Sequence, residues 1–189
     1  MKLGIVALAL CVAATGAKAQ SVFSNDYEAV FDQNSEKIAR KVAEDGGTIE
    51  EIELPGPVMV QRRLNEDGPV YQSQDFSGLG AVGCMMGLLL QFQKTANACP
   101  AEVAPEQKAR LSSALIRVGL FYAENRVPKV SEIEMIEAIA ESGKEGGSCQ
   151  QMENAGFRDL FDNILSEGLT EALDGMLSEP RLPVVNPCL

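Results

Sequence analysis

Gly83-Cys84-Met85-Met86-Gly87-Leu88-Leu89-Leu90-Gln91-Phe92-Gln93-Lys94-Thr95-Ala96-Asn97-Ala98-Cys99 is an apolar run with a thiol at each end and Lys94 as its one charge. Its reading as helix, membrane span or metal site decides the architecture. The uncharged stretch extends back to Asp75, which raises the question of a transmembrane segment. The apolar part, Leu79 to Leu90, is only twelve residues long and holds three glycines, whereas a span needs about twenty apolar residues. No transmembrane span is expected, and the run reads as a central core helix.

The chain has five cysteines, one of them inside an N-terminal apolar segment, which leaves Cys84, Cys99, Cys149 and Cys188. Separations of 15, 50 and 39 residues give no Cys-x-x-Cys pair for redox or zinc chemistry, so the thiols read as structural disulfides. If Cys84 and Cys99 cap one helix, they lie about 22 Å apart at ~1.5 Å per residue. A disulfide needs Cα atoms within about 7 Å, so each must pair elsewhere. In an up-down-up-down bundle Cys99 meets Cys149 at one end, and Cys84 meets Cys188 at the other.

The residues downstream supply the other helices. Pro105 marks a helix start, Leu111, Leu115, Val118 and Tyr122 form one stripe, and Val127-Pro128 ends it. Ser131 and Glu134 form a capping box with Val130 and Met135 as its staple; Ile133, Ile136 and Ile139 or Ala140 are then expected to face inward. After Gly143-Lys144-Glu145-Gly146-Gly147 a longer stripe runs from Phe157 to Leu177, with a break near Gly168. Pro180 to Pro187 is too rich in proline for a helix and reads as an extended strap. The expected fold is mainly α: a disulfide-stapled antiparallel bundle of about four helices, over residues 78–189.

Residues 20–77 look less regular. Ile38 and Val42 at i and i+4, followed by Gly46-Gly47, suggest a short helix over 34–44. Thr48 to Leu54, Val58 to Leu64 and Pro69 to Gln74 alternate in polarity between Pro55-Gly56-Pro57 and Asn65-Glu66-Asp67-Gly68, which suggests a small antiparallel β-meander. Residues 1–19 read as a signal peptide. Lys2 is its basic start, Leu3 to Ala14 its apolar region, and Ala17-Lys18-Ala19 its cleavage site. The expected location is therefore periplasmic or secreted, after cleavage near Ala19.

Composition removes several functions. There is no histidine and no tryptophan, with only three tyrosines. That excludes histidine-dependent triads and histidine-held metals, and it leaves few rings for stacking on sugars or bases. Without Lys2 and Lys18, 14 basic residues stand against 27 acidic ones, a net charge of −13. Nucleic acid is not an expected partner, because phosphate backbones need a basic footprint. Gly78-Leu79-Gly80-Ala81-Val82-Gly83 matches G-x-G-x-x-G, but no buried strand precedes it and no βαβ unit follows. Met85 and Met86 beside Cys84 suggest Cu(I) ligands only if adjacent helical residues converge, which they do not. Asn65-Glu66-Asp67-Gly68 lacks the oxygen ligands of a calcium loop. No cofactor and no metal are expected.

Glu132, Glu134, Glu137 and Glu141 crowd one short helix and form a candidate acidic face for docking a cationic exported protein. The expected function is therefore a non-enzymatic, exported binding protein of adaptor, inhibitor, immunity or chaperone-like type. A second reading is a carrier of a small apolar ligand in a pocket lined by Leu88, Leu89, Phe92, Phe157 and Phe161. A third is a hydrolase using Glu137 and Glu141 as paired carboxylates.

Overall fold

The computed structural model describes residues 21–144 and 146–188. The segment read as a signal peptide, with its cleavage site, lies outside them. In chain order come α1 (Tyr27–Gln33), a 3-10 turn (Ser35–Lys37), β1 (Ala39–Val42), β2 (Thr48–Leu54), β3 (Val58–Asn65) and β4 (Gly68–Asp75). They are followed by α2 (Val82–Ala98), α3 (Pro105–Asn125), α4 (Glu132–Ser142), α5 (Gln150–Glu153), α6 (Ala155–Ile164) and α7 (Leu169–Met176).

The expectation of a mainly α four-helix bundle with a loosely ordered N-terminal part is corrected. The four strands make one antiparallel sheet in the order β1-β2-β3-β4, and this sheet has a core of its own. Ile52, Val58 and Val60 pack with Val30 and Phe31 of α1 and with Leu182 and Val184 of the C-terminal strap. β2, β3 and β4 occupy the three segments of alternating polarity. The short helix expected over 34–44 is replaced by the 3-10 turn and β1. Its Gly46-Gly47 stop is instead the β1–β2 turn, where Gly46 has φ +85° and Ala43 N–H donates to the Gly47 carbonyl at 2.7 Å. Cross-strand pairing explains the difference. Arg40 lies opposite Glu50 and Lys41 near Glu51, ion pairs that a local helical period cannot reveal.

The helical layer forms the second core. α2 is its central element, with Val82, Met86, Leu89 and Phe92 buried against α3, α4, α6 and α7. Packing between α3 and α4 is close because Gly119 has no side chain: an added Cβ would stand 2.5 Å from the Ile139 Cδ1. The long C-terminal stripe from Phe157 to Leu177 is divided between α6 and α7, with Gly168 at the start of α7, and the short α5 precedes it. Asn154 caps α6 by accepting from Phe157 N–H at 3.1 Å.

The strap joins the two cores. Its Val184 carbonyl accepts from Gly83 N–H at 2.9 Å, and its Asn186 carbonyl accepts from Asp75 N–H at 2.8 Å. Arg181 is buried between them. Its Nε donates to Asp75 Oδ2 at 2.7 Å, Nη1 to the Met176 carbonyl at 2.8 Å, and Nη2 to the Gly80 carbonyl at 2.8 Å. On the other side, Tyr122 of α3 donates its hydroxyl to the Phe23 carbonyl at 2.8 Å. Burial pushes that phenol well above its ordinary range.

Candidate functional site

The cysteines pair as Cys84–Cys188 and Cys99–Cys149, each with Cα atoms 5.2 Å apart. Each bridge ties one end of α2 to a segment distant in sequence. Cys84 and Cys99 are buried while Cys149 and Cys188 are exposed, so the bridges run from the core outward. Two disulfides, and no helix among the described residues long and apolar enough to cross a membrane, fit an exported protein.

α4 differs from its sequence reading in a way that bears on function. Ser131 Oγ accepts from Glu134 N–H at 3.2 Å, which is one of the two bonds of the expected capping box; the return bond, from Ser131 N–H to the Glu134 carboxylate, is not made among the described residues. The stripe it buries is Met135 and Ile139, not Ile133 and Ile136. Ile133 is 71% exposed and Ile136 44% exposed, and Ala140 is exposed with them. At about 100° per residue, these three positions form one outward stripe. Glu134, Glu137 and Glu141 lie along one flank and Glu132 along the other, all exposed. Glu141 is paired with Lys144 at 2.5 Å, and α4 itself contains no basic residue. The surface is therefore apolar along its crest and anionic along its sides.

Phe92, Phe157 and Phe161 do come together. Phe92 meets Phe161 at 5.0 Å and Phe157 at 5.6 Å between ring centroids, both edge to face. Leu89, Phe92 and Phe161 are fully buried, and Leu88 and Phe157 are partly so. The three rings pack between α2 and α6 in the geometry that aromatic edges and faces favour. Leu89 shares their core, whereas Leu88 is not among the described residues packed against it.

The face of the sheet turned away from α1 was not singled out by sequence reasoning. Rows Ile49–Arg63–Val70, Glu51–Gln61–Gln72 and Glu53–Met59–Gln74 run across it. A concavity of about 290 Å³ lies over Met59, Gln61, Gln72, Gln74, Phe76 and Asn186. A second, of about 470 Å³, lies over Ile49, Gln61, Arg63, Asn65, Val70 and Gln72. They share Gln61 and Gln72 and so form one shallow trough. The alternation within β3 and β4 carried this signal; what was missing was knowledge of which face α1 and the strap would cover. On the covered face Glu50 is buried between two guanidiniums, accepting from Arg40 at 2.8 Å and from Arg62 at 2.6 Å. Those two hydrogen bonds, Arg40 first, hold its carboxyl below the ordinary range.

Among the described residues no group of three or more histidine, cysteine, aspartate or glutamate side chains is placed to hold a metal ion. No family model matches the chain, and neither a curated protein nor a solved structure matches it.

Proposed function

We propose that the chain is an exported, non-enzymatic binding protein that docks a cationic partner on α4. The supporting observation is the stripe of Ile133 and Ile136, 71% and 44% exposed, flanked by four exposed glutamates. Isoleucines that turn away from an available core add nothing to folding, and they leave an apolar crest for another surface to cover. A partner suited to this face presents an apolar ridge bordered by lysine or arginine, the arrangement in which charge steers the encounter and apolar area retains it. The two disulfides supply a scaffold that keeps the face in one geometry outside the reducing cytoplasm. Removal of residues 1–19 as a signal peptide completes this reading.

The test is affinity capture from periplasmic extract with three baits: wild type, Ile133→Asp, and Glu137→Lys with Glu141→Lys. A protein retained by wild type, lost by both variants and released at about 0.5 M salt is the expected outcome. Retention unaffected by either variant would overturn the assignment to α4.

A further inference from the structure

We infer that the free edge of β4 is a docking strip for an extended, uncharged segment of another polypeptide, which adds a fifth strand beside Pro69–Ser73. Two hydrogen bonds set the phase of that edge. Phe76 N–H donates to the Pro57 carbonyl at 2.9 Å, on the β3 side, while Asp75 N–H donates outward to Asn186 at 2.8 Å. Backbone groups alternate sides along a strand. The N–H groups of Tyr71 and Ser73, and the carbonyls of Pro69, Tyr71 and Ser73, therefore also point outward. Among the described residues none of these five groups has a hydrogen-bond partner.

The occupant follows from what already sits there. At Asp75 the outward N–H is already answered by a backbone carbonyl of the strap, that of Asn186. The strip continues the same edge and stops at Pro69, which has no N–H to offer. The opposite edge shows the usual protection: β1 has only four residues, with Arg40 and Lys41 paired to Glu50 and Glu51. β4 has eight residues and no charge before Asp75. The trough lined by Gln61, Gln72 and Gln74 reaches this edge at Ser73 and Asn186. Val70 and Phe76, 50% and 57% exposed, flank it. An added strand would place every second side chain over the trough, where apolar groups meet Val70 and Phe76 and polar ones meet the amides. This is strand addition: main-chain bonds supply affinity and alternate side chains supply selectivity. It is independent of the α4 face.

The experiment selects a phage-displayed library of peptides of about ten residues on the intact, oxidised protein. The selected peptides are then measured against three variants. Ser73→Ala keeps the N–H and should bind as wild type does. Ser73→Pro removes it at an outward edge position that tolerates proline, and should weaken binding about tenfold, the equivalent of one hydrogen bond. Glu137→Lys with Glu141→Lys should change nothing, so failure here is distinct from failure of the α4 reading. Amide exchange in the wild-type protein supplies the readout should Ser73→Pro not fold: bound peptide should slow Tyr71 and Ser73. A library without binders, peptides indifferent to Ser73→Pro, or protection elsewhere would overturn the inference. So would a concentration-dependent dimer that Ser73→Pro dissociates, which would give the edge to a second copy of the chain.

Discussion

Arg181 has a side-chain exposure of 0% and its partner Asp75 one of 2%. Charges so placed persist only where every hydrogen-bonding group is answered. The Arg181 nitrogens answer the Asp75 carboxylate and three carbonyls, and Asp75 Oδ1 accepts in addition from Ser77 N–H at 2.8 Å. Arg181→Met strands a buried carboxylate and should lower the unfolding free energy by about 3–5 kcal/mol in urea titrations. Adding Asp75→Asn should return part of that loss, because the stranded charge is then gone. Glu50 makes the parallel argument on the sheet, with a measurable pH signature. Its folded pKa is depressed by Arg40 and Arg62. Its contribution is therefore complete above the unfolded carboxylate value of about 4.3, and fades as pH falls through the lower folded value. Glu50→Gln should cost about 2–3 kcal/mol near neutrality, and the gap to wild type should close in urea titrations taken progressively below pH 4.

Two glycines of α2, four residues apart, do opposite things for the element. A Cβ on Gly83 would stand 2.6 Å from the Val184 carbonyl oxygen, whereas one on Gly87 meets nothing within 4 Å. Gly83→Ala should push the strap away and destabilise the fold, and Gly87→Ala should stabilise it by about 0.5–1 kcal/mol; thermal melts of both proteins decide. This asymmetry marks the limit of what the sequence makes legible. The period of α2, its bounds near the two cysteines, and the starts of α3 and α4 follow from local pattern, because capping residues and apolar spacing act over a few residues. The inner side of α4 does not, because Ile133, Met135, Ile136 and Ile139 offer two competing apolar stripes. Gly119 on another helix decides between them by admitting Met135 and Ile139. β1 was missed for the same reason, since its partners Glu50 and Glu51 lie across a hairpin. The acidic residues of α4 were legible as charge, but the exposed isoleucines that give the face an apolar crest were not.

At the scale of the molecule, both disulfides anchor α2 but close loops of different length, with sequence separations of 104 for Cys84–Cys188 and 50 for Cys99–Cys149. The pairing could be argued from helix length and direction. The destination of the strap could not, because Leu182 and Val184 enter a sheet core that a bundle does not have. Chain entropy makes each bridge worth about 4–5 kcal/mol, and a twofold difference in loop length changes this by only about 0.6 kcal/mol. Each pair also has one buried member, Cys84 at 4% and Cys99 at 2% exposure, so alanine leaves a similar void in both cases. A larger difference between the two deletions would require native contacts that depend on one tether. The strap is held upstream of Cys188 by Arg181, by the Pro183 carbonyl accepting from Asn25 at 2.7 Å, and by the Val184 carbonyl accepting from Gly83. Its seat should therefore survive loss of the bridge. Cys84→Ala with Cys188→Ala and Cys99→Ala with Cys149→Ala should cost amounts within about 1 kcal/mol of each other in urea unfolding. The Gly83 amide should stay protected from exchange in the first pair. A much larger deficit there, with loss of that protection, would make the tether rather than the buried Arg181 the element that joins helices to sheet.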